Sequence, residues 1–127
     1  MNLNNLSKEV IGAAIEVHKN LGPGLLESVY QNCLFLELKS KGIDFKAQAV
    51  VPILYKGMEI KKEFILDFLI EDILVVELKS VETVLPVHKA QTLTYLRLAN
   101  KSLGLLINFN ETQLKDGITR IVNNFSE

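Results

Sequence analysis

The sequence contains only one cysteine, Cys33, and therefore has no pair of thiols that could form an intrachain disulfide. Because Leu34 and Leu36 lie close to it, we interpret Cys33 as a small apolar core residue rather than a nucleophile. Only two histidines are present, which leaves no Cys/His cluster for a zinc site. This usage is compatible with a reducing compartment, and we expect a cytoplasmic protein.

A strong excess of positive charge is also missing, since 14 Lys and Arg residues face 15 Asp and Glu residues for a net charge of −1. This balance excludes a histone-like protein but not an enzyme that contacts nucleic acid over a small patch. No apolar run approaches the roughly 20 residues that cross a bilayer, so we expect no membrane association. The N-terminal segment lacks a basic stretch followed by an apolar one, so we expect no signal peptide.

Linkers, repeats and low-complexity segments are absent as well, and the prolines at positions 23, 52 and 86 are scattered. A length of 127 residues with 48% hydrophobic composition is typical of one globular unit. Such a chain buries roughly two-thirds of the surface that it exposes when unfolded, which supports one core but not two. We therefore predict a single domain over residues 1–127.

Hydrophobic periodicity predicts four helices and four strands. The helices are expected from residue 3 or 5 to 20, and at 25–41, 86–99 and 111–125; the strands are expected at 45–54, 58–70, 73–80 and 103–109. The strand–helix–strand passage over 73–109 predicts a right-handed crossover between parallel strands. The fold class is therefore α/β, with a mixed β-sheet flanked by helices on both faces.

Two of the apolar strands carry charged residues in their interior. Asp67 lies between Leu66 and Phe68, whereas Glu77 and Lys79 lie near the end of the most apolar strand. Residues two apart on a strand share a face, so Glu77 and Lys79 point the same way. A turn at 71–72 places Asp67 opposite residue 76 or 77. We expect the two carboxylates and the ammonium to converge at one end of this hairpin.

Converging carboxylates repel one another unless a cation lies between them. Magnesium suits such a pair, because it binds one or two carboxylates and keeps waters free for phosphate oxygens. The alternative is an ion pair between Lys79 and either acid, which contributes only about 0.2–1 kcal/mol. Spacing alone favours neither interpretation, because an acid–x–Lys triplet is short and common. The apolar strand favours the metal site, since burying charges costs stability that a surface pair would not.

Asp67, a spacer of nine residues and then Glu77-Leu78-Lys79 together resemble the core motif of the PD-(D/E)XK nuclease superfamily. Residues 24–30 resemble the Gly-x-x-Glu-x-x-Tyr signature of a small family within it, the GxxExxY proteins. Residues 88–95 and 104–109 also look like that family, so the resemblance covers nearly the whole chain. One departure is Leu66, which replaces the proline of the superfamily's name.

The resemblance implies a restriction-endonuclease-like core and a set of site residues. It implies that Mg2+, with Mn2+ as a substitute, is held by Asp67 and Glu77 and by the carbonyl of Leu78. Lys79 would be the catalytic lysine, and Glu27 would reach the same metal directly or through water. Gln91 and Tyr95 would join the catalytic site from the helix that follows.

The residues that lie outside the motif of Asp67, Glu77 and Lys79 also have simpler explanations. Glu27 falls in the first turn of its helix, where a carboxylate is favoured by the helix dipole. Tyr30 lies one turn further and is typical of a core aromatic with a hydrogen-bonded hydroxyl. Gln91 and Tyr95 are four residues apart and share a helix face, which a surface stripe explains equally well.

Both histidines have simple explanations too. We interpret His88 as a solvated residue at a helix start, although its ring could contact phosphate when protonated. We interpret His18 as a surface residue favoured by the dipole at the end of the first helix.

The resemblance implies a Mg2+-dependent nuclease that hydrolyses phosphodiester bonds in DNA or RNA with metal-activated water. The alternatives are a non-catalytic nucleic-acid or protein-binding module that keeps the nuclease fold, and a purely structural domain. We expect nucleic acid as the main partner. A net charge of −1 gives little electrostatic grip on a duplex, so we also expect a partner protein or a homo-oligomer.

Overall fold

The structure is a computed structural model, and it describes residues 2–124. Within these residues lie three α-helices, α1 (Leu3–Leu21), α2 (Glu27–Ser40) and α3 (Pro86–Ala99), and a short 3-10 helix (Leu114–Gly117). The strands are β1 (Phe45–Tyr55), β2 (Met58–Ile70), β3 (Leu74–Lys79), β4 (Leu103–Asn108) and β5 (Ile118–Val122). No helix in this part of the chain is both long and apolar enough to cross a bilayer.

The first helix is defined by its two caps and one apolar face. The side chain of Asn2 accepts a hydrogen bond from the Asn5 N–H at 2.8 Å and so satisfies a donor at the helix start. Gly22 ends the helix at a φ of 74°, which glycine adopts without strain. Between the caps, the apolar residues that recur at helical spacing are buried: Leu6, Val10, Ala13, Ala14 and Val17.

The strands form one mixed sheet in the order β1-β2-β3-β4-β5. Strands β1, β2 and β3 pair antiparallel as a meander, whereas β3 and β4 pair parallel. Helix α3 connects the parallel strands, as a parallel pair requires. All of β4 and all of β3 except Lys79 are buried, as expected of central strands with continuous apolar runs that are covered on both faces.

Helices cover the sheet on both faces, as predicted. On one face, α1 and α2 pack on residues from β2, β3 and β4, including Phe68, Val76 and Leu105. On the other face, Leu96 of α3 packs against a smaller cluster that includes Leu66. The hydrophobic core is therefore divided into two layers by the sheet, and an α/β fold with a restriction-endonuclease-like architecture is confirmed.

The predicted helix at 111–125 is wrong. Residues 114–117 form the 3-10 helix, residues 118–122 form β5, and residue 125 lies outside the described part of the chain. All residues of 118–122 except Arg120 are β-branched, which suits a strand, and β5 pairs antiparallel with β4. Gly117 permits the tight approach at this corner, because a side chain there would collide with the Asn108 carbonyl oxygen. The backbone hydrogen bonds that residues 118–122 form with the edge of β4 thus decide their conformation, although the apolar residues in this segment recur at helical spacing.

The interpretation of His18 as a surface residue is also wrong. Its side chain is only 9% exposed, and its Nε2 lies 2.7 Å from the carbonyl oxygen of Glu111. The ring also lies beside Phe109, with centroids 6.4 Å apart. His18 therefore links α1 to the loop after β4. Cys33 is half-buried and packs against the core cluster, in agreement with its interpretation as a small apolar residue.

Candidate functional site

Strands β2 and β3 separate at the end far from their connecting turn. Their backbone pairing covers Ile70 with Leu74 through Phe68 with Val76 and then stops. One step further, Asp67 lies level with Glu77, which is one of the two registers that the turn position predicted. The strand pair therefore opens at the level where its charged residues begin.

At this opening, hydrogen bonds from backbone to side chain replace the backbone hydrogen bonds that join the two strands elsewhere. The Asp67 N–H donates a hydrogen bond to Oε2 of Glu77 at 2.6 Å. In return, the Leu78 N–H donates to Oδ2 of Asp67 at 2.8 Å. Each carboxylate thus spans the gap and accepts from the backbone of the other strand, which holds the two acids against each other.

The partner strand β1 is irregular at the same level. Ala47 pairs with Phe68 and Ala49 pairs with Leu66, but Gln48 between them has a φ of 54°. Phe68 packs in the layer under α1 and α2, whereas Leu66 packs in the layer under α3. Residues two apart normally share a face, so the hairpin twists at this level. At this twist the Asp67 carboxylate points along the sheet toward β3, where it accepts the Leu78 N–H.

Burial and mutual repulsion shape the electrostatics of the two acids. The Glu77 side chain is 8% exposed, and burial followed by the charge of Asp67 raises its pKa from 4.5 to about 8. The Asp67 N–H and the charge of Lys79 offset part of this rise. Burial likewise raises the pKa of Asp67, with an opposing effect from its hydrogen bond to Leu78 and from Lys79. The two negative charges therefore repel each other in a poorly solvated place. A cation bound between the carboxylates would stabilise their ionised forms.

Lys79 lies two residues after Glu77 on β3 and is half-buried. Within residues 2–124 its ammonium forms no ion pair, since the two salt bridges there join Lys41 to Glu9 and Lys101 to Asp72. The alternative of a direct ion pair between Lys79 and an acid is thus not found. Lys79 acts on the acids through space instead, where its positive charge lowers their pKa values.

Glu27 comes to the same place from the first residue of α2. It is half-buried, and burial followed by the charge of Asp67 raises its pKa, while Lys79 lowers it. The charge of Glu27 in turn raises the pKa of Glu77. Three carboxylates and one ammonium, carried by α2, β2 and β3, therefore influence one another's charge.

Tyr30 holds the loop that leads to Glu27. Its hydroxyl donates to the Gly22 carbonyl at 2.6 Å and accepts from the Leu25 N–H at 3.1 Å. Its buried ring stacks on Phe109 with centroids 4.5 Å apart. The interpretation of Tyr30 as a core aromatic with a hydrogen-bonded hydroxyl is confirmed.

The two candidate site residues on α3, Gln91 and Tyr95, differ in their relation to the acids. Tyr95 stacks on Phe64 at 4.6 Å, and burial followed by the charges of Glu77 and Asp67 raises the pKa of its hydroxyl. The Tyr95 hydroxyl is therefore within range of the charges of both acids. Gln91 is exposed one turn earlier, and its side chain forms none of the side-chain hydrogen bonds found within residues 2–124. Its spacing from Tyr95 is as predicted, but the structure does not bring it into contact with the acids.

His88 belongs to the start of α3. Its Nδ1 accepts the Leu85 N–H at 3.0 Å, while its own N–H bonds back to the Leu85 carbonyl at 3.0 Å. The ring thus caps the helix start, a more specific role than the solvation that we predicted.

The sequence profile of the PD-(D/E)XK nuclease superfamily matches residues 4–121, which is nearly the whole chain. The chain belongs to the PD-(D/E)XK nuclease superfamily. The match identifies the superfamily, so membership of the GxxExxY proteins within it stays a prediction. No curated protein matches the chain.

This PD-(D/E)XK chain is similar in fold to a solved structure titled "Crystal structure of SSO0001". The two superpose with a TM-score of 0.54 at 22% sequence identity. The alignment covers 79% of this chain and 52% of the other, so the chain spans about half the length of that protein. At this identity the likeness supports the fold alone.

The donor set of this PD-(D/E)XK site fits a hard divalent cation. Asp67 and Glu77 supply carboxylate oxygens, and no sulfur or imidazole ligand lies among them. In the part of the chain that the structure describes, no three His, Cys, Asp or Glu side chains form a group that could hold a metal ion, so the fit rests on the two carboxylates of Asp67 and Glu77. Two carboxylates with room for water are the arrangement that Mg2+ uses, so the residues fit the group.

Two polar residues near the site were not found by the sequence reasoning. Asn108 ends β4 with no exposed surface, and its amide bonds to both the N–H and the carbonyl of Val81. A polar residue inside the apolar run 103–109 is the same signal that revealed Asp67, and it would have found Asn108. Ser80 donates to the Leu25 carbonyl at 2.6 Å. Nothing in the sequence around Ser80 indicates this contact.

Proposed function

We propose that this chain is a divalent-metal-dependent nuclease that hydrolyses phosphodiester bonds in DNA or RNA, with Mg2+ as its metal and Mn2+ as a substitute. The observation that carries the proposal is the pair formed by half-buried Asp67 and buried Glu77 across two separating strands, with Lys79 two residues after Glu77. Membership of a nuclease superfamily whose members generally use divalent metals supports it.

In this proposal Asp67 and Glu77 hold the metal together with the carbonyl of Leu78. The N–H and carbonyl of one strand residue point to the same side, and the Leu78 N–H faces Asp67. The Leu78 carbonyl therefore faces Asp67 as well, in a region where β2 and β3 no longer pair. Glu27 adds a third carboxylate, directly or through a water.

When bound, the metal lowers the pKa of a coordinated water and offsets the charge that develops on the phosphoryl oxygens. Lys79 stabilises the same developing charge or orients the attacking water, since its ammonium lies near both acids without being paired. The hydroxyl of Tyr95 is within range of the charges of both acids and would donate to a phosphate oxygen. Gln91, one turn before it, would contact the substrate further out.

The test combines metal binding with cleavage by the full chain. Mn2+ and Mg2+ affinities are measured by isothermal titration calorimetry, and cleavage is followed on gels with single- and double-stranded DNA and RNA. We expect saturable binding and cleavage, both lost in Glu77→Gln and Asp67→Asn. Glu59→Gln, an exposed acid in the turn region of β1 and β2, is the matched control and should behave as the unchanged chain.

Two results would contradict the proposal. Nucleic-acid binding without cleavage in either metal would favour the non-catalytic module. Loss of stability in the Asp67 and Lys79 variants, with no metal binding by the unchanged chain, would favour a purely structural domain.

A further inference from the structure

The loop before α2 is held by hydrogen bonds to Tyr30 and Ser80 rather than by a side-chain cap at the helix start. Residue Leu26 occupies the N-cap position, and no side chain caps the helix there. The Leu26 carbonyl accepts the Val29 N–H at 3.0 Å, but no side-chain cap fixes this helix start to the rest of the fold. The position of Glu27, the next residue, therefore depends on what holds the preceding loop.

Leu25 is the residue at which this loop is held. Its N–H donates to the Tyr30 hydroxyl at 3.1 Å, and its carbonyl accepts from the Ser80 hydroxyl at 2.6 Å. Tyr30 belongs to α2 itself, so that bond moves with the helix. The Ser80 bond is different, because Ser80 directly follows Lys79 at the end of β3. It joins the loop of Glu27 to the strand of the catalytic lysine.

Ser80 is itself placed firmly by its two neighbours. The Lys79 carbonyl accepts the Phe109 N–H at 2.9 Å. On the other side, the Val81 N–H donates to the Asn108 side chain at 3.1 Å, and the Asn108 amide donates to the Val81 carbonyl at 2.9 Å. Asn108 is completely buried at the end of β4. Ser80 thus projects from a backbone anchored on both sides to the central sheet.

We propose that Ser80 is a positioning residue that holds Glu27 as the third carboxylate of the Asp67–Glu77 centre, by locking Leu25 onto the end of β3. This inference rests on the proposed function. Ser80 touches neither metal nor substrate in it. Its hydroxyl fixes the distance between α2 and β3, and that distance sets whether the Glu27 carboxylate reaches the centre.

The experiment is a double-mutant cycle on Mn2+ affinity in the full chain, measured by isothermal titration calorimetry. We expect Ser80→Ala to weaken Mn2+ binding about tenfold, the low end of the effect of groups that orient metal ligands. Ser80→Thr keeps the hydroxyl and should restore binding. In a Glu27→Gln background, which itself binds Mn2+ more weakly, Ser80→Ala should cause no further loss.

Ser40 offers a matched control, because its hydroxyl also donates to a backbone carbonyl, that of Glu37, at 2.8 Å and at the other end of α2. Ser40→Ala should leave Mn2+ affinity unchanged. Hydrogen exchange of the metal-free chain gives a second measurement. Ser80→Ala should speed exchange of the amides in 22–27 and leave those of β3 and β4 protected.

Three results would overturn the role of Ser80 alone. They are unchanged Mn2+ affinity in Ser80→Ala, an equal loss in the Glu27→Gln background, and faster exchange throughout β3 and β4. In all three the unchanged chain still binds Mn2+. Absence of Mn2+ binding by the unchanged chain would instead overturn the proposed function, and the role of Ser80 with it.

Discussion

The two ends of the β2–β3 pair are built from the same strands but by different contacts. Near the turn, Ile70 and Leu74 are wholly buried, and backbone pairing joins the strands. At the far end the pairing stops, and Asp67 and Glu77 join the strands by side chain to backbone bonds. The apolar end contributes to stability, whereas the polar end holds buried charge at a cost in stability.

This difference teaches how a small domain accommodates carboxylates in a poorly solvated site. The buried acids are anchored on strands whose other halves lie in the core, so the cost of desolvating them is offset by nearby apolar packing. Altering the apolar end should therefore change folding, and altering the polar end should change chemistry and its pH dependence. The following predictions test that separation, from the largest expected effect to the smallest.

The largest effect concerns the pH dependence of stability. The pKa of Glu77 is about 8 in the folded chain and near 4.5 when it is exposed, so the folded state binds more protons between these values. The free energy of unfolding should therefore fall as pH rises from about 5 to about 8, in total on the order of 3–5 kcal/mol. Urea unfolding at several pH values without metal measures this.

Glu77→Gln is the control for that profile. Glutamine keeps an oxygen that can accept the Asp67 N–H but does not titrate, so most of the slope should disappear and stability at pH 8 should rise. A stability that stays level or increases between pH 5 and pH 8 in the unchanged chain would contradict the prediction. Added Mg2+ should stabilise the chain most at the high end of this range.

A truncation at the apolar end should act on folding alone. Ile70→Ala removes a wholly buried side chain, and we expect the free energy of unfolding to fall by about 2–5 kcal/mol. Mn2+ affinity of the fraction that remains folded should be unchanged, because the acids keep their cross-strand bonds. Denaturant titration and calorimetry measure the two quantities. A loss of metal affinity at low temperature, where the variant is folded, would show that the two ends are coupled.

Removal of the lysine charge should act on catalysis. Lys79→Met keeps the apolar length of the half-buried side chain, and we expect kcat for cleavage to fall about 10²–10³-fold. The melting temperature should change little, since Lys79 forms no ion pair within residues 2–124. Lys56→Met, in the exposed turn between β1 and β2, is the control. Equal activity in the two variants would argue against a catalytic lysine.

The smallest effect concerns Tyr95. Tyr95→Phe keeps the ring that stacks on Phe64 and removes only the hydroxyl, which is within range of the charges of both acids. Loss of one hydrogen bond to the substrate should reduce kcat/KM about threefold to tenfold without changing stability. Tyr55→Phe, an exposed tyrosine at the end of β1, is the matched control. A change in the melting temperature without a change in kcat/KM would assign Tyr95 to packing.

Most elements of the fold could be predicted from local pattern. Helix α3 has the predicted bounds, and the apolar runs of β3 and β4 led directly to buried central strands. The last segment failed, because the spacing of Leu114, Ile118 and Ile121 suits a helix and only the open side of β4 favours a strand. His18 failed for a similar reason, since its burial depends on the loop carrying Glu111, 93 positions away.

The site could also be predicted in part, because local sequence pattern reveals some of its residues but not those that depend on distant contacts. Asp67, Glu77 and Lys79 are visible in the sequence, because charges inside apolar strands break a local rule. Their convergence followed from the short turn at 71–72. The contribution of Ser80 was invisible, because a hydroxyl bonded to a carbonyl 55 positions away leaves no pattern in neighbouring residues.

The sequence by itself determined the order of the elements up to β4, the two layers of the core and the charged triplet, since periodicity and burial act over a few residues. Tertiary structure alone decided that β2 and β3 separate at Asp67, that each acid accepts a backbone N–H of the other strand there, and that Glu27 of α2 comes within range of their charges. These features depend on contacts between distant segments. They can form only once the whole sheet has assembled and its apolar packing offsets the cost of desolvating the acids.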